Sequence, residues 1–208
     1  MAIDLATLVE PGSTAVVTSE IQNGVIGSDS ALPALAEAAR QGMIPAIARL
    51  VAGARAAGVQ VVHATAYQRS DRKGLNTNAR LFRGVQKSPV QLLPGTPAVE
   101  VIPEVGVEPD DLVLTRTHGL NPMAGTDLDP ILRNLGIGTI VVAGVSVNIA
   151  ITNLVMDAVN LGYQVVLPRD AVCGLPADYA DAVIDNTLRL LATVTTVDDL
   201  TATWEKDR

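Results

Sequence analysis

Short apolar runs alternate along the chain with longer segments that have helical spacing. The runs are four to six residues long and rich in Val, Ile and Leu, and Gly, Pro or Asp residues lie near their ends, which is typical of buried strands. Strands without a polar face require cover on both sides of their sheet. Six strands are predicted, at residues 14–18, 59–64, 112–115, 139–143, 163–167 and 192–197.

The segments between these runs have apolar residues three and four positions apart, which predicts helices. In residues 34–57 the pattern is interrupted near Gln41 and Gly42 and restarts with Pro45 in the first turn of a second helix. A short C-terminal helix contains Trp204. The other predicted helices are residues 127–135, 147–161 and 178–191.

This alternation predicts a single α/β domain over residues 1–208, built as three layers (αβα, Rossmann-like) around a six-stranded parallel sheet. The crossovers between parallel strands are expected to be right-handed. Residues 67–108 interrupt the alternation, because they are far longer than the usual connection of about 2 to 6 residues. We expect this stretch to contain short helices and to act as a lid over a functional site.

Composition and charge argue against several kinds of partner and site. A net charge of -7 argues against a nucleic-acid partner, which requires clustered basic residues. The single cysteine, Cys173, excludes an intramolecular disulfide and fits a reducing compartment, and with two histidines in the chain we expect neither a metal site nor a cofactor. The N-terminal segment lacks the basic residues of a signal peptide, and no apolar window has the length of a membrane span. The sequence therefore predicts a cytoplasmic protein without a membrane partner.

In open α/β sheets, ligands bind at the carboxyl ends of the strands. The partner expected there is a small-molecule substrate. The residues that follow the first four predicted strands are the candidates for its site: Glu20, Gln22, Asn23, Gln68, Arg116, His118, Ser146, Ile149 and Ala150.

At these positions the sequence resembles the isochorismatase-like hydrolase superfamily, also called the cysteine hydrolases. Its members have Asp-x-Gln-Asn after the first strand, a lysine after the third, and Gly-Val-x-Thr-Asn-x-Cys after the fourth. This chain has Glu20-Ile21-Gln22-Asn23, Arg116 and Gly144-Val145-Ser146-Val147-Asn148-Ile149-Ala150 at the same places, together with matches at Gly125-Thr126-Asp127-Leu128, Asp157-Ala158, Gly162-Tyr163 and Asp170-Ala171. The resemblance implies the family's fold, a cis peptide near Val145-Ser146, and assembly into a homo-oligomer.

All three catalytic positions of the family are substituted here. The methyl group of Ala150, at the nucleophile position, cannot attack a carbonyl, so the family's covalent amidase chemistry is not available there. Isochorismatases proper have a glycine at that position and use the carboxylate after the first strand as an acid. The resemblance therefore implies a cysteine-independent hydrolase of a small anionic metabolite, with Glu20 as general acid or base and Arg116 as its electrostatic partner.

The same pair also allows a purely structural interpretation. Arginine is always charged, and its guanidinium group presents paired N–H donors that match a carboxylate. A bidentate bridge from Arg116 would therefore keep Glu20 ionised and make it a poor acid. His118, two residues further on, is either a proton-transfer group or an exposed loop histidine.

The remaining candidates have two interpretations each. Gln22, Asn23 and Gln68 either contact the substrate or satisfy backbone groups of their own loops. Ser146 either contacts the substrate or caps the following helix, and the amide of Ile149, with that of its neighbour, is a candidate anion site.

Two alternative functions stay open at this point. The chain is either a catalytically inactive relative that binds a small molecule or serves as an oligomeric scaffold, or a thiol amidase that uses Cys173. The second alternative requires a loop that folds back, since Cys173 lies beyond the fifth strand, two strand spacings or about 10 Å from the first.

Overall fold

The computed structural model describes residues 4–206, and within them one sheet of seven strands forms the centre of the fold. The sheet order is β3-β2-β1-β4-β5-β7, with β6 beside β4, and the pairings between these strands are parallel. The prediction of a parallel sheet is therefore confirmed. The strands are β1 (Thr14–Ser19), β2 (Gln60–Ala66), β3 (Leu112–Arg116), β4 (Thr139–Val145), β5 (Gln164–Pro168), β6 (Val172–Cys173) and β7 (Thr193–Thr195).

The predicted number of six strands is wrong, because β6 was not expected. Only the first half of β4 pairs with β5, since the register ends at Val141 and Val166. The chain then returns, so that Val172 and Cys173 pair with Gly144 and Val145. These two residues supply partners for backbone groups of β4 that would otherwise be buried without hydrogen bonds. A strand of two residues is too short for any periodicity to reveal.

Helices cover both faces of the sheet. On one face, α3, α4 and α9 pack on side chains such as Val16 and Val141. On the other face, α6, α7 and α8 pack on side chains such as Val17 and Val142. The three-layer prediction is confirmed. The helices are α1 (Leu5–Leu8), α2 (Asn23–Ile26), α3 (Pro33–Arg40), α4 (Met43–Ala56), α5 (Arg80–Val85), α6 (Leu128–Asn134), α7 (Thr152–Asn160), α8 (Ala177–Asn186) and α9 (Val197–Lys206).

The helix predictions agree with the structure except at some ends. The break between α3 and α4 falls at Gln41 and Gly42, as predicted. The segment predicted as one helix from residue 147 begins instead with a wide turn, Val147–Ile151, before α7. The segment predicted to end at residue 191 leaves α-helical geometry after Asn186. The four-residue helices α1 and α2 are too short to give a helical pattern. Across residues 4–206, the structure contains no helix that is both long and apolar enough to cross a membrane.

The long connection between β2 and β3 contains short helices, as expected. They are α5 and the single turn Pro97–Val99. Beyond that turn, Val101 forms an isolated antiparallel bridge with Gln22, which attaches this connection to the loop after β1.

A buried polar network joins β1 and β2 to α4. His63 Nδ1 lies 2.9 Å from Thr18 Oγ1, and His63 Nε2 lies 3.3 Å from a carboxylate oxygen of Asp111. Arg55 of α4 forms an ion pair of 2.5 Å with the same carboxylate. Burial lowers the pKa of His63, although the charge of Asp111 acts in the opposite direction.

Candidate active site

A pocket of about 190 Å³ lies at the carboxyl ends of β1 to β4, where the sheet topology leads one to expect a ligand. The lid between β2 and β3, defined as residues 67–96, contributes a large part of its wall, including α5. The predicted site residues that line the pocket are Glu20, Gln68, Arg116, His118, Ser146, Ile149 and Ala150.

Glu20 and Arg116 form an ion pair across the end of β2. Arg116 is the last residue of β3 and its side chain is 5% exposed, whereas Glu20 follows β1 and is 20% exposed. Nη2 of Arg116 donates to Oε1 of Glu20. The contact is therefore a single hydrogen bond and not the bidentate bridge of the structural interpretation. Because only one oxygen is engaged, Oε2 of Glu20 has no hydrogen-bond partner among the side chains of residues 4–206.

Arg116 retains unused hydrogen-bonding capacity. Its Nε and Nη1 atoms are buried and have no partner within the part of the chain that the structure describes. Buried N–H groups in native structures are almost always satisfied by protein, by water or by a ligand. A guanidinium group that lines a pocket with two free donors is therefore suited to bind an oxygen atom of a ligand.

Glu20 also has an unusual backbone conformation. Its φ angle is +56°, in the left-handed region that non-glycine residues seldom adopt. Its amide donates to the carbonyl of Ala64 at 3.0 Å, which holds the residue against β2. Conformations of this kind cost free energy and cluster at functional sites.

The turn after β4 brings three candidates together. The peptide between Val145 and Ser146 is cis, which confirms the expectation from the family resemblance. Ala150 lies in the next turn, 5% exposed, with its methyl group on the pocket wall. Ser146 makes no capping hydrogen bond with its side chain. Its carbonyl accepts the amide of Ile149 at 3.1 Å, so this amide is already used inside the turn and is not free to bind an anion.

Gln22 and Asn23 do not line the pocket. The side-chain amide of Gln22 donates to the carbonyls of Ala66 and Val99 and accepts the amide of Ala66, at 2.7 to 2.9 Å. Asn23 donates to the carbonyl of Pro97 at 3.0 Å. Both side chains therefore join the loop after β1 to the connection that forms the lid, which is the backbone-satisfying interpretation of these residues.

Gln68 and His118 lie on the pocket wall in different surroundings. Gln68 is buried and donates to the side chain of Gln91, inside the lid. His118 is exposed and lies in the loop after β3.

Cys173 does not line this pocket. It lies in β6, on the side of β4 away from β1, and lines a separate depression together with residues such as Met43 and Arg49. Burial raises the pKa of the thiol to about 11, so little thiolate exists at neutral pH. The structure thus separates the thiol from Glu20, which argues against a thiol amidase that uses Cys173.

Across residues 4–206, no three side chains of His, Cys, Asp or Glu come together in a way that could hold a metal ion.

The apolar wall of the lid was missed by the inspection of strand ends. These residues follow no strand directly, so the rule for open sheets does not point to them. The available signal was the recurrence of apolar side chains in a Pro- and Gly-bearing stretch that has no place in the sheet. The missed residues are Leu75, Leu81, Phe82, Val85 and Leu92.

The order of the sheet and the residues at its carboxyl edge define the class of protein, an isochorismatase-like hydrolase. Residues 14–199 match the family model described as Isochorismatase domain, and the chain belongs to this family.

Three relatives illustrate the range of similarity. The chain is 29% identical over 209 residues to ureidoacrylate amidohydrolase RutB of Rhizobium rhizogenes, covering 94% of this chain and 85% of that protein. It is 36% identical over 92 residues to the uncharacterized isochorismatase family protein YwoC of Bacillus subtilis, a match that spans 44% of this chain and 46% of that relative. A crystal structure of a cysteine hydrolase from Pseudomonas syringae has the same fold, with a TM-score of 0.81 at 23% identity over 97% of this chain and 96% of that one.

Proposed function

We propose that this chain is a hydrolase of a small anionic metabolite that works without a cysteine nucleophile and uses Glu20 for proton transfer. The supporting observation is the combination found in one pocket. A carboxylate with one free oxygen faces the cavity, while the position of the family's nucleophile carries the methyl group of Ala150. A carboxylate without a neighbouring nucleophile is suited to activate water.

In the proposed reaction, water is the attacking group. Oε2 of Glu20 accepts a proton from the water while the oxygen of that water forms a bond to the electrophilic carbon of the substrate. The bond from that carbon to the leaving group then breaks, and Glu20 returns the proton to the leaving group. Glu20 is thus base in the first step and acid in the second, and no covalent bond to the protein is formed.

Arg116 supplies positive charge for this reaction. Arginine is not deprotonated in proteins, so it cannot itself transfer the proton. Its free Nε and Nη1 groups are suited to bind an anionic group of the substrate or the negative charge that develops on an oxygen. This capacity supports an anionic substrate.

Roles for the other candidate residues are proposed from where each one lies relative to the pocket. Gln68, Ser146 and Ile149 line the pocket and are proposed substrate contacts, with Ser146 Oγ as a polar group of the turn after β4. His118, exposed at the pocket, is proposed to exchange protons with solvent. Gln22 and Asn23 are proposed to act on substrate binding indirectly, because they fasten the loop after β1 to the end of β2 and to the turn Pro97–Val99, which follows the lid.

Two substrates test the proposal first. Ureidoacrylate is chosen because the relatives named ureidoacrylate amidohydrolase match nearly the whole chain. Isochorismate is chosen because the family model bears that name. Product formation is followed by liquid chromatography with mass spectrometry for the wild type, for Glu20→Gln and for Glu104→Gln, a matched exchange on an exposed loop.

Glu20→Gln keeps the shape of the side chain but removes the proton acceptor, so kcat is expected to fall about 10²- to 10⁴-fold with the fold retained. Glu104→Gln is expected to leave kcat unchanged. Full activity of a folded Glu20→Gln protein would refute the role of Glu20.

A binding protein without turnover is the second candidate. The ion pair between Glu20 and Arg116, beside a methyl group at position 150, is the observation that favours it. The pocket itself argues against a pure scaffold, because it retains room for a ligand. Ligands that raise the unfolding temperature but yield no product in any assay would select this candidate.

A further inference from the structure

The wall of the pocket that faces Glu20 and Arg116 is apolar. Leu32 and Leu35 contribute to it from the start of α3, and Leu81, Phe82 and Val85 contribute from α5 in the lid. Apolar walls with a few convergent polar groups are typical of small-molecule sites, and the polar groups fix the orientation of the ligand.

Of the four polar side chains with which the lid lines the pocket, Gln68, Asn76 and Gln86 are bonded to protein groups, whereas Tyr67 has no such bond within residues 4–206. Gln68 donates to Gln91, and Gln86 donates to the carbonyl of Asn76 at 3.2 Å. The side-chain oxygen of Asn76 accepts the amide of Gly119 at 2.9 Å. These bonds hold the lid together, and apolar side chains make up most of the lid's contribution to the pocket wall.

Free hydrogen-bonding groups are found on Arg116, at the end of β3. Nε and Nη1 of Arg116 have no partner within residues 4–206, although the side chain is 95% buried. Buried donors of this kind require an acceptor, and hydrogen bonds from a guanidinium to a carboxylate are stronger than those between neutral groups. The pocket therefore combines free N–H donors, beside the carboxylate of Glu20, with a largely aliphatic wall.

The volume limits the size of the ligand. At about 190 Å³ the cavity is smaller than the pockets of roughly 300–1,000 Å³ that hold drug-sized molecules. Six leucines line the pocket against two aromatic side chains, Tyr67 and Phe82, so most of its apolar wall is aliphatic.

We propose that the site binds monoanions with an aliphatic body, whose charged oxygens lie on Arg116 and whose carbon chain lies against the leucine side chains of the lid and α3. This proposal rests on the proposed function in one respect: the reacting end of the substrate lies beside Glu20. Binding itself does not require turnover, so the two proposals can fail separately.

The test is equilibrium binding of butanoate, pentanoate and hexanoate to the wild-type protein by isothermal titration calorimetry. Each buried methylene is expected to lower Kd about fourfold. Hexanoate is compared with adipate, which has the same length and a second carboxylate at its far end, and with hexylamine, which reverses the charge of the head. Both are expected to bind at least about tenfold more weakly, because a carboxylate among leucines is unfavourable and an ammonium offers no acceptor to the free N–H groups of Arg116.

A matched pair of variants locates the aliphatic end. Leu81 is 38% exposed at the pocket, and Leu135 is 44% exposed at the end of α6, near the opposite edge of the sheet. Leu81→Asn is expected to weaken hexanoate about fivefold and butanoate less, and Leu135→Asn is expected to change neither.

Equal Kd values for butanoate and hexanoate, or for hexanoate and adipate, would overturn the aliphatic body. Equal binding of hexylamine would overturn the anionic head, and a chain-length dependence unchanged in Leu81→Asn would overturn the assignment to the lid. Hydrolysis unaffected by Glu20→Gln, together with a normal chain-length dependence, would refute the proposed function and leave the ligand class intact.

Discussion

Gly144 lies in β4 and pairs with Ser19 of β1. Ser19 directly precedes Glu20 in the sequence. The φ angle of Gly144 is +111°, and a Cβ atom added there would lie 2.2 Å from the carbonyl oxygen of Ser19. Neither the backbone conformation nor the available space accepts a side chain, so this glycine permits the two strands to come together at the edge of the pocket.

Gly144→Ala is therefore expected to lower the free energy of unfolding by about 3 kcal/mol or more. Gly138, just before the same strand, has open space around an added Cβ, and Gly138→Ala is expected to stay within about 0.5 kcal/mol of the wild type. Urea unfolding followed by circular dichroism measures both. Equal stabilities of the two variants would contradict the close approach of β1 and β4.

For single residues of the site, the sequence predicted the location at the strand ends but not the hydrogen bonds of the side chains. Glu20, Arg116 and Ala150 follow separate strands, and a parallel sheet brings their ends to one edge, where the structure has all three on one pocket. The use of their side chains was not predictable. Nothing in the sequence decides that Gln22 bonds backbone groups of β2 and the lid connection, because these partners come from residues 44 and 77 positions away.

At the scale of secondary structure elements, the polar network below the pocket ties β1 and β2 to α4. Thr18, His63, Asp111 and Arg55 are linked in this order by contacts of 2.5 to 3.3 Å. Thr18 lies two residues before Glu20, so the network supports the strand end that carries the proposed base.

The network predicts a pH-dependent stability. Burial lowers the pKa of His63 in the folded state below its usual value of about 6.5, so the unfolded chain binds the proton more tightly. The free energy of unfolding should consequently fall as the pH drops from about 7 to 5. Burial alone would raise the pKa of Asp111, but Arg55 and the amide of Glu108 lower it overall, so its own contribution is lost near pH 4 and below, outside this window.

Urea unfolding at several pH values between 5 and 7.5 measures this dependence. His63→Gln is expected to reduce the slope, since the titrating group is removed. His118→Gln is the matched control, because His118 is exposed and takes no part in the network, and it should leave the slope in place. A slope unchanged in His63→Gln would contradict the assignment.

Elements were predictable where they are long and periodic. The five strands that align with β1 to β5 and the break between α3 and α4 follow from apolar runs and from Gln41 and Gly42. By contrast, β6 is a strand of two residues that pairs with the end of β4, and the turn Val147–Ile151 departs from the helix predicted there, so local periodicity predicted neither.

At the scale of the whole molecule, the family resemblance implies a homo-oligomer that assembles through helices beside the sheet. Sedimentation equilibrium should therefore give a mass that is a multiple of the 21.6 kDa chain. A single species of 21.6 kDa over the accessible concentration range would contradict this prediction.

Hydrolysis without a thiol is tested most directly by kcat of Cys173→Ala, a protein that contains no cysteine at all. Its kcat on whichever of ureidoacrylate and isochorismate the wild type hydrolyses is expected to equal that of the wild type, and adding Glu20→Gln in the same background should lower it about 10²- to 10⁴-fold. Loss of activity in Cys173→Ala alone, with the fold intact, or full activity in the double variant, would contradict a water-based reaction at Glu20.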